Sequence, residues 1–357
     1  MKISREKLVS ALRIGSRKGF SGFFWMLRIL IPISFFTMVL DYSGWLGKAD
    51  FLLEPLMGWL SLPASAALPL IIGLLTGIYG AVAAMMVLPL TPEQMTLIAI
   101  FLLISHNMIQ ESIIQGNSGI HPIKATVFRL AASVITVMIA ARFLIPEPAA
   151  VIGQEIAAPS SAAFVPVLKK WALETFLLTC KIFFLIMTVM NILQIMKTFD
   201  LIRYIIRGIC PVLRIMGLDQ RVGVLWLTAC IFGIAYGGAV IVEETKENDF
   251  SHEEITRLHL SIGINHAMIE DPALFLPLGI SPFWLWISRL ITAVAAVHLL
   301  GLWFRIKERK AAIPVFRKNS VLIKEKSLLQ RTCCTRPDSI TAGTANLIVS
   351  AHQSEIP

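Results

Sequence analysis

Long apolar runs alternate with short polar stretches along this chain, and the runs are too long for ordinary core segments. Phe20–Leu40 contains one charge, Arg28; Leu62–Leu90 and Val222–Val242 contain none; Pro282–Phe304 contains Arg289 and His298. About 20 apolar residues rising ~1.5 Å each cross a ~30 Å hydrocarbon layer, so each run predicts a spanning helix. The first run follows an extended basic segment without a convincing cleavage site, so it is expected to belong to the fold rather than to a leader.

Two polar islands interrupt this pattern, and they resemble one another. Ile104-Ser-His-Asn-Met-Ile-Gln-Glu111 matches Ile264-Asn-His-Ala-Met-Ile-Glu-Asp271 at an offset of 160 residues. The offset persists downstream, where Gly119, Ile120, Pro122 and Arg129-Leu130 correspond to Gly279, Ile280, Pro282 and Arg289-Leu290. Upstream it shrinks slightly: Tyr79-Gly80 corresponds to Tyr236-Gly237, Pro55 to Pro211, and Arg28 falls opposite Lys181. The chain therefore divides into a basic segment 1–19, a repeat 20–145, a linker 146–170, a second repeat 171–304 and a basic tail 305–357.

Loop charge predicts how the repeats are oriented. Asp41–Ser65 carries Lys48 against Asp41, Asp50 and Glu54, whereas the equivalent loop Lys197–Arg221 carries five Lys/Arg against Asp200 and Asp219. Lys/Arg-rich short loops stay cytoplasmic, so equivalent loops of opposite character predict inverted repeats, each crossing an odd number of times. On this scheme both termini and Gly217 face the cytoplasm, while the linker and the carboxylate-rich loop Glu243–Glu254, with Asp249, face outside. Parity then leaves Glu93–His121 and Glu253–Ser281 as segments that enter and leave on one side. Their polar centres and short arms predict re-entrant hairpins. The expected fold is all-α: a polytopic membrane helical bundle of two inverted repeats, each with a re-entrant helical hairpin.

Composition supports a membrane setting, with 56% hydrophobic and 15% charged residues. The net charge of +9 sits in residues 1–19 and in residues 305–336, where ten Lys/Arg face Glu308 and Glu325. Basic flanks of this kind anchor helices in a bilayer and do not predict nucleic acid. Five cysteines without a C-x-x-C pair support neither a zinc site nor a disulfide framework. The absence of H-E-x-x-H, G-x-S-x-G and a dinucleotide fingerprint argues against an enzyme, and no cofactor is expected.

Arg28, Glu111, Arg129, Glu174, Lys181, Glu270, Asp271 and Arg289 are the deep charges, four of each sign. One reading is purely structural pairing that locks the helices. The islands carry a sharper one. His106 with Gln110, and His266 with Glu270, stand four apart and would share a helix face. With Ser105, Asn107, Glu111, Asn265 and Asp271 they form a candidate substrate site, because broken helices offer unpaired backbone groups to polar ligands near the midplane. The glycines Gly73, Gly77, Gly80, Gly233, Gly237 and Gly238 permit close helix contact or local unwinding.

Gly-Ile-Tyr-Gly-Ala-Val from Gly77, Gly-Ile-Ala-Tyr-Gly-Gly-Ala-Val from Gly233 and the His islands that follow resemble the nucleoside-recognition or Gate-domain family. That family is associated with concentrative nucleoside transporters, the membrane part of ferrous iron transporter B and spore maturation membrane proteins. The resemblance implies a secondary transporter or permease for a small polar solute, a nucleoside first, working by alternating access in the bacterial cytoplasmic membrane. Divalent metal transport is the alternative, with His106, Glu111, His266, Glu270 and Asp271 as ligands. A non-transporting membrane assembly protein is a further one. This chain lacks the iron transporter's G-x-x-x-x-G-K-[ST] loop. Besides solute and lipid, a second copy or a related Gate-domain chain is a candidate partner. Residues 320–357 are expected to be disordered or peripheral, so a chain truncated after Lys318 is expected to insert normally, as membrane fractionation would check.

Overall fold

The computed structural model describes residues 5–45, 54–145, 163–199, 211–247 and 250–312. Asp249, most of the linker and the tail 320–357 lie outside the described residues. Regular structure among the described residues is entirely helical: α1 Arg5–Tyr42, α2 Ala67–Thr76, α3 Ile78–Met85, α4 Pro92–Ser105, α5 Met108–Asn117, α6 Pro122–Leu144, α7 Phe164–Thr198, α8 Gly223–Glu247, α9 His252–Asn265, α10 Glu270–Ala273 and α11 Pro282–Ala312. Among the described residues, five stretches are long and apolar enough to cross a membrane: Arg5–Tyr42, Pro92–Asn117, Pro122–Leu144, Phe164–Met196 and Pro282–Ile306. The protein is an all-α, polytopic membrane bundle. The described residues up to Leu302 form one compact unit, and from Trp303 the chain belongs to a second, described only as the last turns of α11.

Corresponding helices of the two repeats pair with each other and run antiparallel. Along α1 and α7, Lys18 Nζ donates to Gln194 Oε1 at 2.9 Å, while Ser34 and Thr175 share a hydrogen bond at 3.4 Å. The far ends meet through the Tyr42 and Phe164 rings, 5.3 Å apart. A methyl group on Gly15 would lie 2.9 Å from Asn191 Cα, so glycine lets these backbones approach closely. Along α6 and α11, Thr136 bonds Thr292 at 2.8 Å, and Phe143 near the end of α6 stands 6.5 Å from Trp284 at the start of α11. Arg28 and Lys181, expected to point inward, are both exposed, so pairing all eight deep charges inside the bundle is not what this chain does.

The hairpins form in a different place from the one the sequence suggested. Gly77 has φ 94° and ψ −177°, a conformation open essentially to glycine alone. There the chain reverses, and α2 and α3 lie side by side: a methyl on Gly73 would sit 3.0 Å from Ala81 Cβ. Inside α8, Gly233 (φ 83°, ψ 171°) makes the same break, and a methyl on Gly237 would lie 2.8 Å from Ala229 Cα. In contrast, α4 and α5 do not fold back on each other. Helix α6 runs past α5 and on to the end of α4: Pro122 meets Gly116, Thr126 bonds Ser112 at 2.6 Å, and Arg129 reaches the carbonyl of Ile104. Pro92–Asn117 is thus one helix with a break. The sequence misleads here because a polar break is visible as polarity, whereas a glycine break inside an apolar run looks like packing.

A second expectation also changes. Arg257 Nη1 donates to Gly217 O at 3.1 Å, and Arg221 forms an ion pair with Glu254. His298 Nε2 bonds Ile215 O at 2.8 Å. The start of α9 therefore lies on the same side as the loop before α8, not the opposite one. Relocating the hairpin to α8 demands this, since a segment that reverses returns to the side it left.

Single cysteines at Gln220 and His252, in a chain cleared of native cysteines, are therefore expected to react with an impermeant reagent from one common side; opposite sides would refute the hairpin in α8. Gly77→Ala and Gly233→Ala are each expected to lower stability by about 1–3 kcal/mol through backbone strain. The nearest atoms, Asn107 Cβ and Ala267 Cβ, leave 3.8 Å of room at each site, so crowding is not the cause. Thermal unfolding in detergent would measure it.

Candidate functional site

Two helices of 14 residues deliver the site, and they start and stop alike. Each opens with a capping box, Thr91 with Gln94 in α4 and Ser251 with Glu254 in α9. Each ends at a histidine in extended conformation, His106 (ψ 164°) and His266 (ψ 159°). The next residue is left-handed in both, Asn107 at φ 46° and Ala267 at φ 44°. The freed amides bond to the hairpins: Asn107 N–H to Gly73 O at 2.9 Å, Ala267 N–H to Ala229 O at 3.1 Å and Met268 N–H to Cys230 O at 2.7 Å. The exposed carbonyls receive arginine. Arg129 Nε donates to Ile104 O at 2.9 Å and its Nη2 to His106 O at 3.2 Å; Arg289 makes the same two bonds to Ile264 O and His266 O, both at 2.7 Å.

The two histidines meet where the breaks face one another. Their Nε2 atoms are 3.4 Å apart, and their rings are 5.0 Å apart. Glu111 Oε1 stands 3.1 Å from His106 Nε2 and 3.2 Å from His266 Nε2. Asp271 Oδ2 approaches the same nitrogens at 3.5 and 3.9 Å. Arg129 Nη1 holds Glu111 Oε2 at 2.7 Å. His106, His266, Glu111, Arg129 and Arg289 are all buried.

Hydrogen-bond logic constrains the protons. His106 Nδ1 contacts Leu102 O at 2.8 Å and His266 Nδ1 contacts Ile262 O at 3.0 Å. A carbonyl only accepts, so each Nδ1 carries hydrogen and a neutral ring presents its Nε2 lone pair. Lone pairs from two histidines and a carboxylate then converge, an arrangement that a shared proton or a bound cation stabilises. His106, His266 and Asp271 bring ligand atoms within 4.8 Å of one another.

The remaining candidates fall into distinct places. Ser105 is buried and donates to Phe101 O at 2.8 Å. Asn265 is buried with neither amide atom partnered among the described residues. Asn107 donates to Gln110 at 3.1 Å, on the exposed side. Glu270 accepts from Tyr79 Oη at 3.0 Å. The expected four-residue pairings, His106 with Gln110 and His266 with Glu270, do not form. The left-handed residue after each histidine shifts the register by one, so the fifth residue, Glu111 or Asp271, turns inward instead. Tyr79 and the carbonyl-capping role of the arginines were not anticipated, although all three stand at matched positions in both repeats; the Tyr236 side chain lies outside the described residues.

Residues 23–115 match the Gate family, described as nucleoside recognition. The chain is 24% identical over 308 residues to the uncharacterized membrane protein YvoD of Bacillus subtilis (strain 168), covering 81% of this chain and 95% of that protein. No solved structure matches. The matched stretch contains the first hairpin, the broken helix α4–α5 and His106 with Glu111, and over these residues the chain is similar to the Gate family.

Proposed function

We propose that this protein is a secondary transporter that carries a small polar solute by alternating access around the His106–His266 cluster. One observation carries the reading: two corresponding helices break at the same place inside an apolar bundle, and buried histidines, arginines and the buried carboxylate of Glu111 meet where the breaks face each other. Buried charge of this kind is costly in a membrane and marks ligand pathways. The antiparallel pairing of α1 with α7 and of α6 with α11 supports inverted repeats, which transporters use to open a central site to either side in turn. On that reading α2–α3 and the two arms of α8 are the re-entrant hairpins, and loop charge puts the Gln220 side in the cytoplasm.

The family description makes a nucleoside the first solute to try. A divalent cation is the second reading, favoured by the convergence of His106, His266 and Asp271. Arg129 beside Glu111 weighs against it, because it already neutralises one of the carboxylates.

In proteoliposomes given a panel of nucleosides and divalent metals, one substrate class is expected to accumulate. His106→Ala and His266→Ala should each slow its uptake at least about tenfold, the factor that ~1.4 kcal/mol of lost interaction gives, with membrane abundance near normal. Glu111→Gln should abolish metal uptake but only weaken that of an uncharged solute. Parental rates in the double histidine variant would overturn the central site.

A further inference from the structure

A second buried polar group lies between α5 and α9, outside the central cluster. His259 is 1% exposed; its Nε2 donates to Ser118 O at 2.8 Å. Gln115, also 1% exposed, donates from Nε2 to His259 O at 2.9 Å. Both side chains keep a buried acceptor, His259 Nδ1 and Gln115 Oε1, without a hydrogen-bond partner among the described residues. Two orphaned acceptors deep in a bundle are destabilising unless a donor reaches them. Water is the natural donor for polar sites of this kind.

The position of this group gives it a direction. Gly119 lies against Ile255 and His259, at the end of α9 that Arg221 and Arg257 tie to the loop before α8. His259 is seven residues into α9 and seven before His266, about 10 Å from each at ~1.5 Å per residue. Next to Gly263, which has no side chain to intervene, Gln115 Nε2 and the Arg129 stem both close in, and Arg129 joins Glu111. Polar groups thus run from the Gln220 side to the central cluster.

The other repeat does not offer the same. At the 160-residue offset, His259 becomes Ala99, Gln115 becomes Phe275, Ser118 becomes Leu278 and Gly263 becomes Leu103. Ala99, Leu103 and Phe275 are fully buried. The corresponding positions of the other repeat carry only apolar side chains.

We infer that Gln115, Ser118 and His259 form a one-sided hydrated access passage, which brings water and small hydrogen-bond donors from the Gln220 side to the central cluster. This rests on the transporter reading for its purpose but not for its existence, because water access can be measured without any substrate. Single cysteines replacing Ser118 and Ala99 would be labelled in sealed vesicles of each orientation, using the full chain freed of native cysteines and a small hydrophilic thiol reagent. Ser118→Cys is expected to react from the Gln220 side at least about tenfold faster than Ala99→Cys does from either side, since water enters a bundle only along a polar cavity. Adding His259→Phe, which removes the orphaned acceptor, should slow Ser118→Cys toward the Ala99→Cys rate. Equal rates at the two positions, faster reaction from the far side, or no effect of His259→Phe in a monodisperse protein would each overturn the passage. Retained asymmetry with no uptake of any solute would leave the passage standing and remove the transporter reading.

Discussion

Arg129 and Arg289 solve the problem that makes the rest of this structure necessary. A helix that stops inside an apolar layer leaves carbonyls without partners, and each unsatisfied group there is worth several kcal/mol of destabilisation. Each guanidinium takes two of them, the carbonyl of the histidine and that of the residue two before it. Arginine suits this because its fork holds a fixed geometry and keeps its charge when buried. The charge itself then needs compensation, and Glu111 supplies it for Arg129. The helix breaks, the arginines and the carboxylate are one interdependent unit, and the histidines are aimed as a by-product of it.

The sequence disclosed this unit in outline. Positions 106 and 266, 111 and 271, and 129 and 289 were recognisable as pairs because polar residues stand out against hydrocarbon. Which residue turns inward was not recognisable, because it depends on one left-handed residue, and neither Asn107 nor Ala267 advertises that conformation. The hairpins were hidden for a related reason. Gly77 and Gly233 break their helices with backbone geometry alone, and the amides and carbonyls they release are taken up by neighbouring main chain rather than by polar side chains. Parity restricted each repeat to an odd number of crossings but could not say which segment reverses.

Around a nearly symmetric centre, the two halves are chemically unlike. Glu111 is matched by the shorter Asp271, Gln110 by Glu270, and the polar pair Gln115 and His259 by Phe275 and Ala99. Two halves with identical side chains would have symmetry-related conformations of equal energy. Unlike side chains lift that degeneracy, so the resting preference of such a bundle is set by substitutions that leave its frame intact.

The bonds that tie each hairpin to the broken helix beside it run from amide to carbonyl: Asn107 to Gly73, Ala267 to Ala229, Met268 to Cys230. No side chain takes part, so most point mutations cannot remove them. The linkage between each hairpin and its broken helix is therefore shielded from mutation, while the side chains of the central cluster are fully exposed to it. A lineage built on this frame can change its central side chains without rebuilding how its parts are joined, and a relative only 24% identical can align along almost its whole length.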